Sequence, residues 1–240
     1  MASTRSTALI ALIGVLAPIV VVGSVLSLAD GDSGTAARAA VASGPSASAS
    51  TPVPETKVVT IGDSIMSGHG LGSESEAWPT LLGFSGHGPV VNLGCSGAGF
   101  IAVGDCGTDY QGLISQAVAA QPTLVIIQSS DNDNGEDAAE LDSATMTTVR
   151  ALRAALPSTE IVGFSTLWDQ PGAVPAEVAQ SSDDLRSAVA VVGGKYIDVG
   201  QPIAGQPALL QSDNEHPTDA GQSVLALAFA RDLHRAGVHY

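Results

Sequence analysis

Lys57-Val58-Val59-Thr60-Ile61-Gly62-Asp63-Ser64 is the stretch that decides the fold. Lys57–Ile61 is a short β-branched run with no polar alternation, the pattern of a strand buried on both faces. It runs straight into a Gly-Asp-Ser turn. Four similar runs follow: Val90–Leu93, Thr123–Gln128, Glu160–Ser165 and Lys195–Val199. Helical periodicity lies between and after them. Glu136–Leu156 carries Ala138, Leu141, Thr145, Val149, Leu152 and Leu156 at steps of three and four, one face of a helix closed by Pro157. Val174–Val192 is a weaker helix. Thr218–Arg235 turns Val224, Leu225, Ala228, Phe229 and Leu233 inward, with Gly237 just beyond. Repeated strand–helix units imply right-handed crossovers and a parallel sheet of about five strands in a three-layer α/β/α sandwich. In such folds chemistry gathers at the C-terminal ends of the strands.

The chain has 240 residues, enough for one domain, or for one domain and a tail. Lys and Arg number 9 against 24 Asp and Glu, a formal charge of −15. That balance disfavours nucleic acid and anionic membrane surfaces as partners. Two cysteines are too few for a disulfide scaffold or a four-cysteine zinc site, and the five histidines form neither HExxH nor HxH. No metal ligand set is read from the sequence.

Arg5 precedes an uncharged run from Thr7 to Ala29, and Asp30 and Asp32 follow it. The length suits a signal peptide or a single membrane anchor, with the C-terminus directed outward. Residues 1–29 are therefore expected to export the chain, which is then secreted or anchored at the cell surface. Membrane attachment, if retained, would run through residues 7–29 only. Residues 30–56 are a linker in which Ala, Gly, Ser, Thr and Pro fill 21 of 27 positions, too little apolar surface to offset ordering entropy. Residues 57–240 are the folded unit.

At the expected active edge stand Gly62-Asp63-Ser64 after the first strand and Gly94-Cys95-Ser96-Gly97 after the second. Ser130-Asp131-Asn132-Asp133 follows the third, and Asp213-Asn214-Glu215-His216-Pro217 precedes the last helix. A serine hydroxyl needs an adjacent base to become a nucleophile, and a histidine base needs a carboxylate to fix its tautomer. Asp213 and His216, three apart in a turn, can make that contact. The Ser64 N–H, the Gly94 N–H and the Asn132 amide are candidate donors to an oxyanion. Asp63 is read as shaping the turn by local hydrogen bonding.

These blocks, in this order, resemble the SGNH hydrolases, the GDSL esterase/lipase superfamily. The family's GDS, the glycine after strand two, the GxND and the DxxHP read here as Gly62-Asp63-Ser64, Gly94, Ser130-Asp131-Asn132-Asp133 and Asp213-x-x-His216-Pro217. The resemblance covers residues 57–240 and implies a flavodoxin-like fold. It implies Ser64 as nucleophile, His216 as base, Asp213 as its orienting carboxylate, and Ser64, Gly94 and Asn132 as oxyanion hole, with no cofactor. The family's glycine in GxND is Ser130 here, a side chain expected to tilt the Asn132 loop or narrow the site.

Each residue taken singly has a plainer reading. Ser64 would serve as a helix-cap serine, Asn132 as a loop turn, His216 as a surface turn and Gly94 as a strand end. Gly31-Asp32-Ser33 repeats the GDS inside the linker with no strand before it. His69 and His87 are rival bases in glycine-rich loops, and Trp78 is core or pocket wall. Gly94, Gly97 and Gly99 do not match the dinucleotide fingerprint. Cys95 and Cys106, eleven apart, are expected to bond in an exported protein and so to rigidify the loop beside Gly94. The expected function is an exported serine esterase acting on carboxylic, short-acyl esters of small molecules, glycans or lipids. An O-acyltransferase on glycans using the same site, or a non-catalytic surface binding protein on a hydrolase fold, are the alternatives. Oligomeric state is not read from the sequence.

Overall fold

Five parallel strands form at the expected places: β1 (Val58–Gly62), β2 (Val90–Gly94), β3 (Leu124–Gln128), β4 (Glu160–Phe164) and β5 (Lys195–Ile197). Their order across the sheet is β2-β1-β3-β4-β5. This computed structural model describes residues 57–84 and 88–240, all within the unit Thr51–Tyr240. The expected export segment 1–29, the linker 30–56 and His87 lie outside the described residues. Among the described residues no helix is long and apolar enough to cross a membrane.

The β-branched runs bury both faces, as a parallel sheet requires. Val58, Leu124 and Ile126 point into one apolar cluster, while Val59, Ile61, Val125 and Ile127 point into the other. The first cluster is closed by α1 (Ser64–Ser67), α2 (Trp78–Phe84) and α6 (Asp219–Arg235). The second is closed by α3 (Ile114–Ala120), α4 (Ala138–Ala155) and α5 (Ala176–Val191). The result is the three-layer α/β/α sandwich.

The two longest helices follow their sequence signals. Asp137 caps α4 by accepting from the N–H groups of Ala139 and Glu140, and Thr218 caps α6 by accepting from Gly221. At the other end of α4, Arg153 donates to the carbonyls of Leu156, Pro157, Thr159 and Val192. Three helices had no sequence signal. α1, α2 and α3 have four to seven residues, too few for a 3.6-residue period to show. Lys195–Val199 proves too long for the fifth strand, because Val199 leaves the sheet to donate its N–H to Ser165 Oγ.

Trp78 is core, sealed between Phe164 and Phe229. Beside it, fully buried Gln222 of α6 accepts from the Trp78 N–H and donates to the Ile65 carbonyl. That one side chain pins the turn after β1 to the last helix. It brings the segment just before α6 to the same sheet edge as the ends of β1 and β3.

Candidate active site

Asp63 turns the chain from β1 into α1 and caps the helix. Its Oδ1 accepts from the Ile65 N–H at 3.0 Å, and its Oδ2 accepts from the Ser130 hydroxyl at 2.7 Å. Burial pushes the Asp63 carboxyl up, while Ser130, the Ile65 and Met66 amides and nearby His216 pull against that rise. At Gly62 a Cβ would lie 2.6 Å from the Met66 sulfur, so a larger residue there would have to displace that side chain. Ser64 thus opens α1 on a turn held from two strands. It is 9% exposed, and its N–H, an orphan donor of the first helical turn, meets no acceptor among the described residues.

His216 is held by the loop before α6. Asp213 Oδ1 accepts from the backbone N–H groups of Glu215 and His216, both at 3.0 Å, and its Oδ2 accepts from His216 Nδ1 at 2.9 Å. Desolvation opposes this, but the His216 ring and those two amides together outweigh it and pull the Asp213 carboxyl down to about 2. Asn214 takes the left-handed conformation the turn needs, φ 59°. With the proton on Nδ1 directed at Asp213, Nε2 is left as the acceptor. The geometry therefore joins Asp213 to His216. No hydrogen bond links His216 to the Ser64 hydroxyl among the described residues; such bonds often tighten only when substrate binds.

His69 is placed at the site rather than in a detached loop. Its ring lies against His216 with centroids 4.5 Å apart and planes tilted 39°. His69 Nδ1 and Ser67 Oγ both reach Ser96 Oγ, at 3.3 and 3.1 Å. Gln211 donates to the carbonyls of His69 and Pro217 and, through its backbone, to that of His216. The two histidine loops are thereby tied to each other.

The oxyanion donors differ from expectation. The Gly94 N–H is already donated to Asn92 Oδ1 at 2.9 Å. The α-carbon of Gly94 is packed against the backbone of Met66 and Ser67, where a Cβ would collide. Gly94 is a packing glycine, and its N–H is not available to a substrate. Three residues on, Gly97 sits at the corner of a turn with φ 78°, its N–H unmatched by any acceptor among the described residues. By sequence Gly94, the first glycine after the strand, is chosen, and Gly97 and Gly99 are weighed only against the dinucleotide fingerprint; the register that pairs Gly94 with Gly62 is what separates them.

Asn132 reaches the site with both hydrogens of its amide directed inward, one to the Ala98 carbonyl and one to Ser130 Oγ. Ser130 Oγ also accepts from the Asn132 backbone N–H at 3.0 Å. The replacement of the family's glycine does not loosen this loop. The hydroxyl links Asp63 to Asn132, the turn after β1 to the loop after β3. Asp133, 2% exposed, completes the frame by accepting from the N–H groups of Phe100, Ile101 and Ala102. Cys95 and Cys106 stand at bonding distance in the same loop, with Cα atoms 5.9 Å apart.

Asp169 was missed. It lies past the end of β4, where the strand-end rule would have pointed, but no motif marks it. Burial pushes its carboxyl up to about 7, helped by the charges of Asp63 and Asp131. Burial, with Asp63 and Glu215, does the same to Asp131, also to about 7.

The sequence from 60 to 224 matches the model of the GDSL-like lipase/acylhydrolase family. The GDSL lipase Rv0518 of Mycobacterium tuberculosis is 30% identical over 184 residues, 70% of this chain and 78% of that protein. Two solved structures share the fold. TesA has TM-score 0.60 and 22% identity over 75% of this chain and 99% of its own. The salicylyl-acyltransferase SsfX3 from a tetracycline biosynthetic pathway has TM-score 0.61 and 20% identity over 78% of this chain and 56% of its own. A serine turn at the end of β1 and a histidine–aspartate pair before the last helix, on this sheet and within that match, mean that the chain belongs to the GDSL-like lipase/acylhydrolase family, whose members are ester-hydrolysing serine hydrolases.

Proposed function

We propose that the chain is an exported serine esterase acting on short-acyl carboxylic esters through Ser64, His216 and Asp213. The observation that carries this is the 2.9 Å bond from His216 Nδ1 to Asp213 Oδ2, which leaves Nε2 as a base at the strand edge where the capped turn presents Ser64. In the reaction, His216 Nε2 takes the Ser64 proton as Oγ attacks the ester carbonyl. The tetrahedral oxyanion is received by the unengaged N–H groups of Ser64 and Gly97, and the Asn132 amide joins them only by giving up its bond to the Ala98 carbonyl. Collapse expels the alcohol, which takes the proton back from His216 and leaves an acyl-enzyme. Water, deprotonated by His216, then releases the acid. Each step uses side chains and backbone of this chain alone.

Short acyl groups are favoured because the described residues hold no lid domain to cover a long chain. Export is supported by the apolar run 7–29 and by two cysteines at bonding distance. The test is hydrolysis of p-nitrophenyl esters from acetyl to octanoyl by the full chain and by Ser64→Ala. Turnover lost in the variant, and highest for the shorter esters, is the expected result. Equal background in both proteins would overturn hydrolysis. Acyl transfer to an added glycan acceptor, abolished by the same substitution, would then identify an O-acyltransferase.

A further inference from the structure

The chain leaves α1 through two glycines in the left-handed region, Gly68 at φ 77° and Gly70 at φ 76°, with His69 between them. A side chain at either glycine would be strained. The backbone N–H groups of Gly68 and His69 both close on the Ser64 carbonyl, so His69 is fixed to the turn that carries Ser64. A Cβ on Gly70 would collide with the Gln211 side chain. The bare backbone there lets the His69 loop lie directly on the loop that carries His216.

Donor counting fixes the His69 ring. Ser67 Oγ donates its one hydrogen to the Ser64 carbonyl at 3.0 Å, so in its 3.1 Å contact with Ser96 Oγ it accepts. The Ser96 hydrogen is thereby used, and at 3.3 Å it is His69 Nδ1 that donates to Ser96 Oγ. Ser96 is a firm anchor. Its carbonyl accepts from the Asp105 N–H at 2.8 Å, and its neighbour Cys95 is bonded to Cys106. Among the described residues no carboxylate is hydrogen-bonded to the His69 ring, so it lacks the partner that steadies a catalytic base.

His216 needs a wall. The Asp213 side chain is 44% exposed and the His216 side chain 14%, and water competes for a hydrogen bond that open. Among the described residues Asp213 is the one hydrogen-bond partner of the His216 ring, and the His69 ring lies on it with centroids 4.5 Å apart. We propose that His69 is a positioning residue: anchored through Ser96, its ring holds the His216 imidazole in the orientation that keeps Nδ1 on Asp213 and leaves Nε2 free for the Ser64 proton. This rests on the serine-esterase reading of the same site. A ring packed on a ring restricts its rotation as well as attracting it. Ser96 also touches Ser67 of α1 and precedes Gly97. The one anchor therefore ties the nucleophile helix, the oxyanion loop and the base together.

The test measures p-nitrophenyl acetate hydrolysis and thermal unfolding on the full chain, His69→Ala, His69→Phe and Ser96→Ala. In His69→Ala kcat should fall about tenfold, the scale of one ring contact, with KM within about twofold. Because His69 is exposed, Tm in both His69 variants should stay within about 2 °C of the native protein. His69→Phe and Ser96→Ala each keep a ring and lose the anchor, and both should retain kcat to within about threefold. Native kcat in His69→Ala, or a loss in His69→Phe as deep as in His69→Ala, would overturn the role. Nitrogen chemical shifts of the neutral His216 ring decide it without turnover. The native protein and His69→Phe should show the Nδ1–H tautomer, and His69→Ala a mixture of the two. Identical shifts in native protein and His69→Ala would refute the proposal. A native protein that hydrolyses no ester overturns the esterase reading alone, and the ring shifts then decide the role of His69.

Discussion

Ser130→Ala isolates the hydroxyl that stands where the family has glycine. That oxygen donates to Asp63 Oδ2 at 2.7 Å and accepts from the Asn132 backbone N–H at 3.0 Å and its amide Nδ2 at 2.9 Å. Ser130 is fully buried, and Asp63 is buried with it. Alanine keeps the backbone and the β-carbon, so only the three bonds are lost. Asp63 still accepts from Ile65, and half-buried Asn132 still donates to the Ala98 carbonyl. The loss therefore falls on one sealed carboxylate oxygen and on two partly sealed donors of Asn132, its backbone N–H and one amide hydrogen. At about 1–3 kcal/mol for each buried group left unsatisfied, with part of the Asn132 share returned by water, the cost is about 2–3 kcal/mol. For a folded unit of this size that lowers Tm by about 4–12 °C. Because the same oxygen ties the nucleophile turn to Asn132, kcat should fall about tenfold with little change in KM. Thermal unfolding with ester hydrolysis on the same preparation measures both. A Tm within a degree of the native protein and an unaltered kcat would refute the view that Ser130 couples the two loops.

Two further predictions concern titration and the cysteine loop. Folded Asp169, pushed up to about 7, keeps a proton that the unfolded chain releases near pH 4. Its contribution to stability is therefore whole below pH 4 and is lost as pH rises through 7, a difference of at most about 4 kcal/mol. The groups that act on it are Asp63 and Asp131. Asp169→Asn should gain Tm over the native protein progressively from pH 5 to pH 8, and parallel Tm–pH curves would exclude this origin. Reduction of the Cys95–Cys106 bridge, whose cysteines are 11 apart in sequence, should cost about 3 kcal/mol in the chain-entropy model. It should also lower esterase activity, because the loop carries Gly97. Intact-mass analysis finding two free thiols in the exported protein would remove the premise.

Much of the architecture was legible because its cause is local. Val58-Val59-Thr60-Ile61 is β-branched throughout and has no charged residue to face water, the pattern of a strand covered on both sides. The period in Leu141, Thr145, Val149 and Leu152 survives in the folded helix because those side chains all reach one core cluster or its edge. Asp213 and His216 were readable as a pair because three residues of turn suffice to bring them together. The short helices α1, α2 and α3 were not readable, since four to seven residues hold no period and their stability comes from what they pack against.

What the sequence by itself determined is the alternation of strands and helices, the edge at which chemistry gathers, and the serine, histidine and aspartate that stand there. Only the tertiary structure decided that Gly94 is spent on packing and Asn92 while Gly97 keeps an unengaged N–H. The same holds for Ser130 reaching Asp63 across 67 residues and so tying it to Asn132, for His69 lying on His216, and for Asp169 being buried without a hydrogen-bond partner. The physical reason is range. Periodicity and turn chemistry act over a few residues, and a sequence displays them. A hydrogen bond or a Coulomb interaction between loops depends on the sheet order β2-β1-β3-β4-β5 and its register, which no local pattern contains.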